Sequence, residues 1–166
     1  MKKYVLTGGP CSGKTTLLDE LGKRGYSIVE ETARKIIKSH SNLSHKEKQE
    51  RIFKSQLEIE SSLRDEIYFL DRSLIDVVAY SRFHNTEPPS LLKTTRLEKR
   101  YDLVFVLEML KFKKDEVRIE QNEEDAKWAH RNVIKAYQEY GYNLIFVPKG
   151  SVEQRADFIE RVICGS

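Results

Sequence analysis

Short apolar runs alternate along this chain with longer stretches in which apolar residues recur every three or four positions. Five runs stand out: Tyr4 to Leu6, Ser27 to Val29, Ile67 to Leu70, Leu103 to Leu107 and Asn143 to Val147. Helical patterns lie between them. Strands alternating with helices predict a mostly parallel sheet covered on both faces. The first helix should run from about Lys14 to Lys23, burying Leu17, Leu18 and Leu21, with Gly22 and Gly25 as stop signals. Ala33, Ile36 and Ile37 share one face of a second helix, followed by a polar loop at Ser39 to Ser44 near the mouth of any site. Ser44 and Glu47 form a capping box for a long charged helix that packs through Ile52, Ile59 and Leu63.

The second half repeats the alternation. Leu74, Val77, Val78 and Phe83 predict a helix ended by Pro88-Pro89, and Ser90 is placed to cap another through Leu91, Leu92 and Leu97. Ala126, Ala129, Val133, Tyr137 and Tyr140 keep helical spacing up to Gly141, a C′ residue. Ser151 and Gln154 box the start of a last helix with the stripe Val152, Ala156, Ile159 and Ile163.

Between the first strand and first helix stands Gly8-Gly9-Pro10-Cys11-Ser12-Gly13-Lys14-Thr15, which fits GxxxxGK[ST] in the strand, loop, helix context that motif requires. Its glycines let consecutive N–H groups curl around phosphate oxygens, and the helix N-terminus behind them favours negative charge. Lys14 would reach the β- and γ-phosphates, Thr15 would place its hydroxyl on Mg²⁺, and the contacts would extend to Thr16.

Composition narrows the class. At 166 residues, 39% hydrophobic and 33% charged, the chain is expected to form one globular domain over residues 1–166. Its apolar runs fall well short of the ~20 residues a membrane helix needs, and its first residues lack a secretory h-region, so the expected setting is the cytoplasm. Cys11 and Cys164 lack metal-ligand spacing and are expected to be reduced thiols. A net charge of +3 is too mild to argue for nucleic acid, whereas an anionic small substrate is compatible with it.

Two carboxylate sites and one basic segment carry the remaining chemistry. Ile67 to Asp71 is an apolar strand ending in a carboxylate, the form of a Walker B element, so Asp71 is a candidate for Mg²⁺ or for a proton; the alternative is that it caps the next helix. Arg72 follows it. Glu30 and Glu31 end the second strand, where a carboxylate could take the proton of an attacking hydroxyl while Arg34 holds the acceptor; first-turn acidic enrichment is the competing reading. The segment around Lys111, Lys113, Lys114 and Arg118 reads either as a solvated charge run or as a lid over 110–121, with Arg118 closing on transferring phosphates. No Asn-Lys-x-Asp guanine-reading element occurs, which makes ATP the expected nucleotide.

Val29 to Arg34, Phe69 to Asp76, Tyr101 to Leu107, Val117 to Glu120, Ala136-Tyr137 to Gly141-Tyr142 and Val147-Pro148 occur in that order after the phosphate loop. Together they resemble the NadR-like AAA/P-loop kinase family. Asp71-Arg72-Ser73 is also similar to the Asp-Arg-Ser of deoxynucleoside kinases, which carry Pro where this chain has Thr32. The resemblance implies a three-layer α/β P-loop fold with a five-stranded parallel sheet of order 2-3-1-4-5. It places ATP and Mg²⁺ at residues 8–16, Glu31, Arg34 and Arg72 at the acceptor, Asp71 at the metal or as base, and Arg118 in the lid. The expected activity is an ATP- and Mg²⁺-dependent phosphotransfer to a small nucleoside- or nucleotide-like acceptor. A nucleotide-binding switch or slow ATPase working through a protein partner is one alternative, and a polynucleotide end kinase another.

Overall fold

The computed structural model describes residues 1–64, 66–109 and 122–165. Five parallel strands form one sheet, β1 (Lys2–Thr7), β2 (Ser27–Val29), β3 (Ile67–Asp71), β4 (Leu103–Leu107) and β5 (Leu144–Val147), in the order β2-β3-β1-β4-β5. The expected architecture and strand order are those observed. β1 is central, pairing Val5 with Leu70 on one side and with Val104 on the other.

Side chains alternate across the sheet because successive Cβ atoms of a strand point to opposite faces. Tyr4 and Leu6 of β1, Phe69 of β3, and Phe105 and Leu107 of β4 pack with Leu17, Leu18 and Leu21 of α1 (Lys14–Lys23) and with Ala156 and Ile159 of α6 (Val152–Cys164). Val5, Leu70 and Val104 face the other way, onto α3 (His45–Ser62), α4 (Leu74–Phe83) and α5 (Glu123–Glu139), with α2 (Thr32–Ser39) at the margin. Burying a leucine of this kind is worth roughly 1.5–3 kcal/mol, so the two apolar layers dominate the stability. Helix α4 is buried over Leu74 to Ser81 and forms the centre of the second layer.

Both predicted capping boxes form, Ser44 with Glu47 and Ser151 with Gln154, and a third joins Ser73 to Asp76 at the start of α4. Helix α4 is thus capped by Ser73, and Asp71 stays the last residue of β3. Gly25 and Gly141 adopt positive φ just past their helices, as expected, whereas Gly22 lies inside α1. One further expectation needs correction. Ser90 does not cap a helix through Leu97: residues Ser90–Thr94 make a short 3-10 turn after Pro89, and Glu50 binds Ser90 through both its N–H and its hydroxyl. Helix α3 packs as expected through Ile52, with Ile59 and Leu63 half-buried against the same core, and its fully buried face also takes in Gln49, Phe53, Gln56 and Glu60. The lid expected at 110–121, Arg118 included, lies outside the described residues.

Glu60 is the charged member of that face. Its side chain is fully buried and accepts from Arg100 Nε at 2.7 Å, from Tyr101 Oη at 3.0 Å and from Gln56 Nε2 at 3.3 Å, with Lys3 Nζ at 3.5 Å. With this many donors a buried carboxylate is tolerated on the inward side of the helix. Glu60→Ala would strand the Arg100 guanidinium, and we expect it to lower the unfolding free energy by about 3–5 kcal/mol, read from urea denaturation. A loss below about 1 kcal/mol would show that the pair is solvated.

Candidate active site

The site forms where β1, β2 and β3 end, the edge at which open α/β sheets bind ligands. The loop from Gly8 leaves β1 with φ +132° at Gly8, where a Cβ would collide with the carbonyl oxygen of Leu107. Cys11 and Gly13 also take positive φ, 55° and 75°. Successive residues of this kind turn backbone N–H groups into a concave anion nest. The loop is held on three sides. Ser12 Oγ donates to Gly9 O at 3.0 Å, Gly9 N–H donates to His130 Nδ1 of α5 at 2.9 Å, and Arg155 Nη1 of α6 donates to Ser12 O at 3.2 Å. Lys14, buried in the first turn of α1, bonds Gly9 O at 2.9 Å, Ser12 Oγ at 3.0 Å and Gly8 O at 3.3 Å. Thr15 and Thr16 are exposed beside it.

Opposite the loop stand the residues of the second and third strand ends. Asp71 is 5% exposed, and its Oδ1 is buried without a hydrogen-bond partner. Arg72 adopts φ 69°, a conformation uncommon for a residue with a Cβ and one that gathers at functional sites. This turn sends its guanidinium back across the site, where Nε meets Glu31 at 3.0 Å and Nη1 lies 3.4 Å from both Gly8 O and Asp76 Oδ1. The Tyr80 ring lies under it at 5.2 Å. Asp76 is fixed by Thr7 Oγ1 at 2.6 Å, Ser73 N–H at 2.9 Å and Tyr137 Oη at 2.5 Å, tying β1, α4 and α5 together beneath the site.

A cavity of about 270 Å³ lies between these walls. The phosphate loop from Pro10 to Thr16 forms one side, Glu31, Arg34, Asp71 and Arg72 the floor, and Ile37, Gln49, Ile52, Gln56, Val77 and Tyr80 the far wall. Glu31, Arg34, Asp71, Arg72, Lys14 and Thr15 are therefore gathered in one space. Glu30 is not: it pairs with Lys35 at 2.5 Å on the exposed side of α2. The polar connection at 39–44 does not line the cavity. Gln49, Gln56, Asp76, Tyr80, His130 and Arg155 were not singled out by motif; the readable signal was that 49, 56 and 60 continue the helical face of Ile52 and Phe53.

The charges perturb one another. Burial raises the Asp71 carboxyl to about 6, helped by the Glu31 charge and opposed by Lys14 and Arg72. Burial also acts to raise Glu31, but Arg72, Lys14 and Arg34 outweigh it and hold Glu31 below its ordinary range. Lys14 falls to about 8 through burial and the neighbouring Arg72, against the pull of Asp71 and Glu31. Without nucleotide or magnesium, stability should fall as pH rises from about 4 to about 6, because the folded chain there keeps the Asp71 proton that the unfolded chain releases. It should rise again from about 8 to about 10.5, where the unfolded chain holds the Lys14 proton that the folded one has lost. Melting curves of wild type minus Asp71→Asn isolate the acid slope; a flat difference between pH 4 and 6 would contradict it.

The donor set suits Mg²⁺ bound through phosphate oxygens and water with few protein ligands. The orphaned oxygen of Asp71 and the exposed hydroxyl of Thr15 fit that role, and among the described residues no cluster of three or more His, Cys, Asp or Glu could hold an ion alone.

Residues 3–155 match the model of the AAA domain. Among solved structures, the chain is similar to deoxyadenosine kinase from M. mycoides with dCMP and dCDP bound, at 16% identity over 98% of each chain and a TM-score of 0.75. It is similar to the NadR protein in complex with NAD and AMP-PNP, at 20% identity over 97% of this chain and 48% of that one, TM-score 0.73, so it spans about half of NadR. Thymidylate kinase from Candida albicans follows at 15% identity over 99% and 91%, TM-score 0.59. No curated protein sequence matches the chain. These likenesses show a fold held in common with nucleoside and nucleotide kinases, and among the described residues no helix is long and apolar enough to cross a membrane. The chain that cradles its own Lys14 in a loop between β1 and α1 belongs, over residues 3–155, to the AAA-domain family.

Proposed function

We propose that this protein is an ATP- and Mg²⁺-dependent kinase of NadR-like type that transfers the γ-phosphoryl group to a hydroxyl of a small nucleoside-like acceptor in the cytoplasm. The observation that carries the reading is the charge balance of the acceptor half of the cavity. Three carboxylates, Glu31, Asp71 and Asp76, face two cations there, and the less exposed one, Arg72, is already bonded to Glu31 and Asp76. A phosphate-bearing acceptor needs cations free to receive it. A neutral hydroxyl needs a base, and that is what the floor offers. The far wall suits a flat polar ring: Ile37, Ile52, Val77 and Tyr80 supply apolar surface, Gln56 presents an amide oriented by Thr32 Oγ1 at 2.8 Å and Glu60, and Gln49, 3% exposed, adds a second amide.

In this reading the loop amides and Lys14 hold the β- and γ-phosphates, and Thr15 and Asp71 would hold Mg²⁺, which offsets phosphate charge when bound. Glu31, kept ionised by Arg72, accepts the proton of the acceptor hydroxyl as its oxygen attacks the γ-phosphorus and the bond to the bridging oxygen of ADP breaks. Arg34 and Arg72 steady the acceptor. Positioning and charge stabilisation supply most of the acceleration in such transfers.

The test is an acceptor screen with labelled ATP across nucleosides, nicotinamide riboside, their monophosphates and RNA ends. Label should pass to one or more nucleosides and not to monophosphates. Transfer to monophosphates or RNA ends alone would overturn the assignment of the acceptor, and ATP hydrolysis indifferent to every acceptor would replace it with a switch or slow ATPase.

A further inference from the structure

Arg155 is a charge that the fold leaves unbalanced. It lies on the first turn of α6, 9% exposed, and its one side-chain hydrogen bond among the described residues is the donation from Nη1 to Ser12 O at 3.2 Å. Its Nε is buried without a partner, and among the described residues no carboxylate pairs with it. The neighbouring Arg24 takes the opposite course, binding Glu20, Asp157 and Glu160 at 2.6–3.1 Å. A guanidinium remains charged at any physiological pH, and a buried charge without a counter-ion lowers the stability of the fold that holds it. Arg155 also sits within 3.1–3.2 Å of where a Cβ on Gly13 would stand, so the loop and the guanidinium are packed in direct contact.

We propose that Arg155 is a positioning residue for the donor phosphates, and that a polyphosphate chain in the loop is the counter-ion its site lacks; this rests on the reading of residues 8–15 as a triphosphate cradle. The route is one peptide unit. Ser12 C=O and Gly13 N–H belong to the same planar group and point in opposite directions. Anchoring the carbonyl on α6 aims the Gly13 N–H away from α6, on the side of the loop that lines the cavity. A charged donor on the carbonyl also polarises the peptide, making that N–H a stronger donor to an anion. Capping of α6 by Ser151 and Gln154, and the bond from Arg155 N–H to Ser151 O at 3.1 Å, hold the residue in place.

A residue with only a packing role and one that serves phosphate differ in sign. In Arg155→Met the melting temperature without ligand should be unchanged or raised, while affinities for Mg·ATP and for inorganic tripolyphosphate, measured by calorimetry, should both fall about tenfold or more, the size expected for a charge-assisted hydrogen bond. Unaltered affinities would overturn the proposal, as would a lowered melting temperature without loss of binding. A loss for ATP with tripolyphosphate unaffected would also overturn it, placing Arg155 at the nucleoside part. Should the Met variant not fold, Arg155→Lys and Arg155→Gln decide: Lys should keep tripolyphosphate binding within about threefold and Gln should lose about tenfold, equal losses counting against the role of charge. Wild type that binds neither ligand would instead refute the cradle itself.

Discussion

Lys14→Ala should remove measurable ATP turnover, a loss of at least about two to three orders of magnitude, while the sheet remains folded. The ammonium is buried at the centre of the loop, within 3.3 Å of two of its carbonyls and a hydroxyl, and the nearby carboxylates Asp71 and Glu31 keep it charged against burial. A terminal phosphate in the loop would meet this charge where water is largely excluded, and there a single cation counts for much more than at a surface. The strand pairings of β1 do not involve the side chain, so circular dichroism should be unchanged. Steady-state ATP consumption in the presence of an accepted nucleoside measures the loss. Turnover within about tenfold of wild type would take Lys14 out of the transfer step.

Asp71→Asn should slow transfer by at least about two orders of magnitude and make the residual rate nearly independent of Mg²⁺ concentration. The substitution keeps the shape of the strand end and removes the charge. Because Asp71 Oδ1 has no partner and burial resists ionisation at this position, the change should not lower the melting temperature at pH 7.5. Activity and stability would then move apart, the pattern expected where a charge is kept for chemistry at the expense of the fold. A wild-type rate with ordinary Mg²⁺ dependence would leave Asp71 a structural strand end.

Much of this architecture was legible because local signals agreed. The five apolar runs became the five strands to within a few residues, and the boxes at Ser44 and Ser151 formed because each pairs a hydroxyl with a carboxylate or amide three residues on. The phosphate loop was legible for a related reason: glycine at positions of positive φ and lysine at the start of α1 are demanded by backbone geometry, which a linear motif records. The acceptor wall was not. Gln49, Gln56 and Tyr80 come from two helices that meet only after folding, and the inward face of α3 carries polar groups that a search for apolar periodicity passes over. The failure at Ser90 has the same origin, since Glu50, 40 residues earlier, binds the group that would have served as a cap.

The clamps on the phosphate loop reach far along the chain: Gly9 is bonded to His130, 121 residues away, and Ser12 to Arg155, 143 residues away. The phosphate loop is thus made well before either of the residues that clamp it. A nascent chain lacking α6 has the motif but not the clamp, and such distant closures slow folding. The phosphate loop should therefore reach its clamped form only after α6 has docked against it.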